Sequence, residues 1–415
     1  MAVSALGVRV VLAPTSSVAL LAAIAGGVLL GTLSGLCPGL HVNNLALLLA
    51  AGAPALPGPP RLVGAAMLAA AVVHSFLDVI PALALGVPDA AMAASTLPGH
   101  RLVLAGRGRE AIRLSALGSA GAVCCALVFV VPLTAAMGHL LGPLDAHLPV
   151  LLTALACWLV ATERSRKASV GAALALALSG ALGLLFLDAT PTSPLPGDTL
   201  APLFAGLFGA PVLLAAMDGG GVPPQEDPAI QTTRRRVGET ATAGAFAGAV
   251  VGYVPGVSSA VAATAALAAL PEGDADGDRG FIVATSGVNT SNAIFALVAL
   301  VAFRTPRTGV TVALNDAGVP LNLPLLALAL VGGAVAGLGL LLALGDAYFR
   351  AVRSLDQRRL SAAVLGGLAL LSGLFAGALG VGIFALATLV GLVPPRFNAR
   401  RVHLMGVLFV PLALA

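Results

Sequence analysis

Long apolar runs, interrupted by short polar segments, set the pattern of this chain from end to end. Runs at about 18–35, 62–87, 111–137, 147–161, 168–187, 199–216, 239–270, 280–303, 318–345, 360–376, 378–393 and 401–415 suit bilayer-crossing or re-entrant helices, for which about 20 residues is typical. They predict an all-α polytopic integral membrane protein, multi-pass in the cell membrane. One phrase within the pattern occurs twice. Gly27, Gly31, Gly35, Pro38 and Gly39 are echoed by Gly244, Gly248, Gly252, Pro255 and Gly256, each displaced by 217 residues, as 255 is from 38. Small residues four apart let helices touch closely, and a Pro-Gly step breaks a helix. The chain is therefore expected to hold two structural repeats with Pro-Gly-broken, discontinuous or re-entrant helices. They cover 18–216 and 239–415, with an N-terminal tail at 1–17 and a cytoplasmic linker at 217–238.

Charge adds a sense of direction. Basic residues gather at Arg101, Arg107, Arg109 and Arg113, at Arg164, Arg166 and Lys167, at Arg234 to Arg236, and at Arg350, Arg353, Arg358 and Arg359. The loops between them carry Asp145, Asp188 and Asp198 without Lys or Arg. Basic loops face the cytoplasm. Residues 239–317 then begin at the cytoplasmic Arg234 to Arg236 and make an odd number of crossings, whereas the equivalent stretch near 20–100 ends at the cytoplasmic Arg101 and begins outside. The repeats are expected to be inverted, the arrangement from which alternating access follows.

Polar residues inside the apolar runs are the candidate chemistry, because such groups are costly in hydrocarbon. Pro38 and Gly39 are followed at once by His41, Asn43 and Asn44, and Pro255 and Gly256 by Ser258 and Ser259. A broken helix offers unpaired amides that favour an anion, and nearby side chains can complete a binding cage. The same side chains could instead satisfy the backbone groups that the prolines free. Asn289, Thr290 and Asn292 interrupt the run 280–303, and the 217-residue offset pairs His74 with Ser291. His74 and Asp78 stand one helical turn apart, a spacing suited to exchanging a proton or holding Na+, or to a structural hydrogen bond. Arg304 and Arg307 flank Pro306, either as an entrance that draws in an anion or as part of an outer loop.

Composition narrows the function further. Hydrophobic residues make up 58% and charged residues 10% of the 415 positions, which excludes a soluble fold and a nucleic-acid partner. The four cysteines, Cys37, Cys124, Cys125 and Cys157, show no metal-like spacing and are expected to be small buried hydrophobes. No zinc-protease motif, nucleophile elbow or metal triad occurs, so no catalytic residue, metal or cofactor is expected.

The chain resembles the large membrane subunit of tripartite tricarboxylate transporters. Gly31, Gly35, Pro38 and Gly39, and again Gly248, Gly252, Pro255 and Gly256, match the family's repeated phrase. Thr96 to Gly99 followed by Gly106 to Ile112 resembles its connector, Asn289 to Asn292 its asparagine element, and Val393 to Pro395 through His403, Gly406 and Pro411 its ending. Departures occur at His41 and Val42, at Pro98, and in the single Asn292 where the family has an adjacent pair. The resemblance implies a permease for a small organic anion of carboxylate type, working with a small membrane subunit and an extracytoplasmic binding protein. An H+ or Na+ gradient would drive it, with the site at the two Pro-Gly breaks. A rival reading is a polyprenyl-phosphate or other lipid-phosphate translocase, since Pro255, Gly256, Val257 and Ser258 are also similar to that kind of carrier.

Overall fold

The structure, a computed structural model, describes residues 2–5, 8–11, 14–38, 40, 42–53, 58–86, 96–217, 221–226, 229–254, 257, 259–270 and 277–414. A short antiparallel ladder joins β1 (Ala2–Ala5) to β2 (Val8–Val11); the remaining described elements are helices. Among the described residues seven helices are long and apolar enough to cross a membrane, as expected of a multi-pass protein.

The first half opens with α1 (Pro14–Leu36), the short α2 (Val42–Gly52), α3 (Pro60–Leu77), α4 (Val79–Leu85), α5 (Thr96–Leu104) and the long α6 (Gly108–Ala146). It continues with α7 (Leu148–Ala161), α8 (Arg166–Phe186), α9 (Leu200–Phe204) and α10 (Ala210–Ala216), the last two joined by a π turn at Ala205–Gly209. The second half runs α11 (Arg234–Tyr253), α12 (Ser259–Ala268), α13 (Gly277–Phe303), α14 (Gly309–Asp316), α15 (Leu323–Arg353) and α16 (Gln357–Gly391). It closes with α17 (Val393–Phe397), a 3-10 turn at Arg401–Met405 and α18 (Gly406–Leu414). The ends of α1 and α11, at Leu36 and Tyr253, and the starts of α2 and α12, at Val42 and Ser259, keep the 217-residue offset. The run 239–270 is thus two helices, α11 and α12, and α2 is a helix that hydropathy did not single out. The steps themselves, Gly39, Pro255 and Gly256, lie outside the described residues. The boundary between the runs 360–376 and 378–393 falls on a kink in α16 at Ala376 and Gly377, where Gly377 takes φ 61°. The left-handed backbone there, with the Thr192 carbonyl against the Cα, admits little but glycine.

The repeated glycines do the same work in both halves. Gly27, Gly31 and Gly35 seat α1 on Ala66, Ala70 and His74 of α3, so closely that a side chain at Gly31 would collide with the Ala70 carbonyl. Gly244, Gly248 and Gly252 seat α11 on Ala284, Val288 and Asn292 of α13. The glycines are offset by 217, but their partners by 218, as 292 is from 74. His74 therefore corresponds to Asn292 and not to Ser291, a correction to the pairing read from the sequence. One extra residue between the start of α12 and the contact face of α13 leaves the glycine phrase untouched and shifts that face.

Each long helix that follows a repeat's opening packs on the other repeat. Along α6, Ser115 accepts from Ser286 at 2.8 Å and Ser119 from Thr290 at 2.9 Å, so α6 and α13 run parallel. Gly333 and Gly337 of α15 meet Ala69 and Phe76 of α3, so these too run parallel. The start of α6 meets the end of α15, through Arg109 with Asp346 at 2.7 Å and Ile112 against Gly345. At this shared end α6 begins and α15 finishes, so the two run in opposite senses, and with them α13 and α3.

Among the described residues the two larger apolar cores each draw on both halves of the chain, and a small third cluster, Ala247, Ala262, Ala263 and Val288, lies within the second. The larger is built chiefly from α3 to α6, α11 and α13 to α15. The smaller is built chiefly from α7 to α9, the π turn, the second half of α16, the 3-10 turn and α18. Outward faces stay apolar, with Val131 at 73% and Val335 at 69% exposure, as lipid-facing surfaces do. The cysteines correct an expectation here: Cys37, Cys124 and Cys157 are exposed and Cys125 is intermediate. In a membrane protein the outside is as apolar as the inside, so an apolar run does not imply burial.

Candidate functional site

A cavity of about 360 Å³ sits where the two cores meet. The larger core supplies its polar wall, and Leu200, Phe204 and Leu408 of the smaller core close the apolar side. From the first repeat come Asn43 of α2, His74 and Ser75 of α3, and Asp78 at the α3–α4 junction. From the second come Ser259 of α12 and Asn289 and Asn292 of α13. Arg307, Thr308 and Thr311 contribute from the segment leading into α14.

Local chemistry explains each position. Pro81 has no amide hydrogen to give to the Leu77 carbonyl, so the α3–α4 junction at Asp78 is loosened, although the Asp78 amide still reaches the His74 carbonyl at 2.9 Å. His74 is held from α1, whose Ser34 hydroxyl lies 3.0 Å from its Nδ1. Asn289 crosses between the repeats: its Nδ2 donates to Asp78 Oδ2 at 2.8 Å and to the Ser75 carbonyl at 3.4 Å. The Oδ1 of Asn292, also on the cavity wall, is buried and has no hydrogen-bond partner among the described residues. Buried acceptors of this kind are uncommon, because each carries a desolvation cost. Thr308 caps α14, its hydroxyl accepting from the Thr311 amide at 3.3 Å, and Gly309 brings this turn onto the side chain of Asn43. Arg307 is 11% exposed and lies 3.5 Å from Asp145, which is 49% exposed.

The residues singled out from the sequence divide in three. Asn43, His74, Asp78, Ser259, Asn289, Asn292 and Arg307 come together at the cavity. Pro38, Asn44, Thr290 and Arg304 are not among its lining residues. Pro38 sits in the turn after α1, and Asn44 is buried with an Nδ2 that has no partner among the described residues. Thr290 bonds Ser119 of α6 instead. Arg304 is exposed in a left-handed backbone with φ 56°. Gly39, His41, Pro255, Gly256 and Ser258 fall outside the described residues. Ser34, Thr308 and Thr311 were not foreseen: hydroxyls near helix ends are too common to stand out. The apolar wall of Leu200, Phe204 and Leu408 carries no sequence signal at all.

The end of the molecule opposite Arg307 is tied by ions. Glu110, fully buried, accepts from Arg107 at 2.6 Å, from Arg279 at 2.8 Å and from the Gln231 amide at 2.8 Å. Arg101 pairs with Asp278, and Arg109 and Arg350 both pair with Asp346. This end gathers the starts of α6, α11 and α13 and the end of α15, where three of the basic clusters lie.

Comparison with known proteins gives one family. The sequence profile of the Tripartite tricarboxylate transporter TctA family matches residues 21–406. An uncharacterized protein of Methanocaldococcus jannaschii is 31% identical over 195 residues, 45% of this chain and 46% of its own length. The chain thus matches about half the length of that curated relative. No solved structure matches the chain.

Proposed function

Because the chain belongs to the tripartite tricarboxylate transporter TctA family, we propose that it is the permease for a small carboxylate and carries it through the cavity between the two cores. The observation that supports this most is the makeup of the cavity wall. Asn43, His74 and Asp78 of one repeat face Ser259, Asn289 and Asn292 of the other around a single space that also holds Arg307. A guanidinium matches a carboxylate in charge and in fork geometry, and the asparagine amides can donate to the remaining oxygens. Asp145, half exposed, holds Arg307 only loosely, so an entering carboxylate can replace it without leaving a buried charge unpaired.

In this reading the two repeats form an inverted pair about an axis in the membrane plane, supported by the opposed directions of α3 and α13. The ionic end carrying Glu110 faces the cytoplasm, and the cavity opens toward the side of Arg307. Movement of the smaller core against the larger would expose the cavity to each side in turn. Asp78, placed between His74 and Asn289, is the coupling group, taking up H+ or Na+ as the substrate binds. A small membrane subunit and an extracytoplasmic binding protein complete the system, in keeping with the family.

Uptake into vesicles reconstituted with the purified chain tests the reading, using labelled mono-, di- and tricarboxylates alongside a polyprenyl phosphate. Carboxylate uptake that Arg307→Gln abolishes is the expected result. Transport of the lipid phosphate and of no carboxylate would overturn it.

A further inference from the structure

The bend in α16 stands between the two cores. Ala376, at φ −138° and ψ 16°, and Gly377, at φ 61° and ψ −156°, both leave the helical region. The chain turns so sharply there that a side chain at Gly380 would collide with the Ser372 carbonyl, although unbroken helix would hold positions eight apart at about 12 Å. Before the bend, Leu368 is buried in the larger core, with Val364 and Leu365 packed against it. After it, Ile383 and Ala387 are buried in the smaller core. Phe384 of the second half also reaches the larger core, through an apolar contact that can slide.

An independent feature crosses the same point. The α8–α9 connection carries Pro191, Pro194 and Pro196, and prolines so closely spaced make a stiff, extended strap. Its far end is tied to the smaller core: the Thr199 hydroxyl donates to the Phe186 carbonyl at the end of α8, at 2.6 Å, and Asp198 accepts from the Leu200 amide at the start of α9, at 3.1 Å. Its middle lies over the bend. The Leu195 amide donates to the carbonyl of Leu374, in the last turn before the break, at 3.0 Å. Gly197 lets the strap rest on Phe375, and the Thr192 carbonyl closes on Gly377. A strap anchored in the smaller core thus holds the end of the half-helix that packs on the larger.

Two half-helices that each keep their own core, beside a strap too stiff to bend, leave any change of angle to the two residues already out of helix. Hinges are built in this way, from a few residues at the ends of elements that absorb the backbone rotation. Resting on the movement of the smaller core given above, we propose that Ala376 and Gly377 are its hinge. The bond from Leu195 to Leu374 is the latch across that hinge, closed in the state described here. A single backbone hydrogen bond is a weak tie, so the latch opens without unfolding either core.

The test measures distances between paired nitroxide labels by double electron–electron resonance, on the purified full-length protein in phospholipid nanodiscs with its four cysteines replaced by serine. One pair, Leu370→Cys with Leu389→Cys, reports the angle between the halves of α16. The other, Val170→Cys on α8 with Val335→Cys on α15, reports the smaller core against the larger; all four positions are exposed. Leu195→Pro removes the latch donor, and Pro194→Gly with Pro196→Gly softens the strap but keeps that amide, which guards against a folding defect in the first variant. Each is expected to add a second distance at both pairs, where the latched protein gives chiefly one. Unchanged distances at both pairs in both variants would make the bend a fixed corner and overturn the hinge. A second distance confined to the Leu370 and Leu389 pair would show local fraying that the smaller core does not follow, and would overturn it equally. No substrate is present in these measurements, so the carboxylate assignment can fail while the hinge stands, and the reverse.

Discussion

Asn289 of the second repeat donates to the carboxylate of Asp78 in the first, Nδ2 to Oδ2 at 2.8 Å. The contact spans the two halves at the wall of the central cavity, where an uncompensated negative charge would be costly. A change in the protonation or ion occupancy of Asp78 therefore acts directly on the contact between the repeats.

If Asp78 couples transport to an ion, Asp78→Asn should abolish accumulation against a gradient and spare exchange of substrate across the membrane, since exchange moves no net ion. Uphill uptake and counterflow measured on the same vesicles decide this. Uphill uptake at the wild-type level would remove Asp78 from the coupling step.

The Oδ1 of Asn292 has no partner among the described residues and lies on the cavity wall, where a ligand donor or cation would meet it. Asn292→Ala should weaken substrate binding by about 5- to 150-fold, the range for one buried hydrogen-bonding group, with the thermal midpoint of the empty protein little changed. Binding measured by calorimetry at the wild-type level would return Asn292 to a packing role.

If the transported anion binds Arg307, it must replace Asp145, which lies 3.5 Å from that guanidinium. Asp145→Asn should therefore lower the KM for the transported anion, whereas Arg307→Gln should eliminate saturable uptake. Identical KM values in Asp145→Asn and wild type would show that the pair is not displaced during transport.

Glu110 is held by two arginines and one amide at the ionic end. Glu110→Ala should cost about 3 kcal/mol, toward the lower end for breaking a buried ion pair, because Arg107 and Arg279 keep some contact with water. Thermal unfolding in detergent measures it; an unaltered midpoint would mean that the network adds nothing to stability.

Glu163, in the α7–α8 connection, adds a dependence on pH. Burial would raise its pKa, but hydrogen bonds from Arg400 and His403 outweigh that and hold the carboxyl below its ordinary 4.5. A carboxyl with a depressed folded-state pKa stabilises fully above its unfolded value, and that contribution is lost as pH falls through the depressed one. The thermal midpoint should drop more steeply on acidification in wild type than in Glu163→Gln. Parallel curves would count against it.

Hydropathy by itself determined the membrane-spanning helical class, and the sequence also shows the repeated glycine phrase and the break between the runs 360–376 and 378–393 that falls on Gly377. These follow from local rules: apolar length, small-residue spacing, and the backbone freedom of glycine. Polar intrusion into apolar runs also marked Asn43, His74, Asp78, Asn289 and Asn292, because a polar group at that depth needs a partner wherever the chain places it. Tertiary structure alone decided which of the marked residues share a space. Thr290 and Asn292 are two positions apart on α13, yet one faces α6 and the other the cavity, since a helix turns about 100° per residue. The match of His74 to Asn292 rested on packing register, which an insertion shifts without touching the motif. The burial of cysteines could not be read from hydropathy, because lipid-facing and core-facing surfaces have the same composition. The apolar wall of Leu200, Phe204 and Leu408 comes from segments far apart in the chain, and only the meeting of the two cores brings them together.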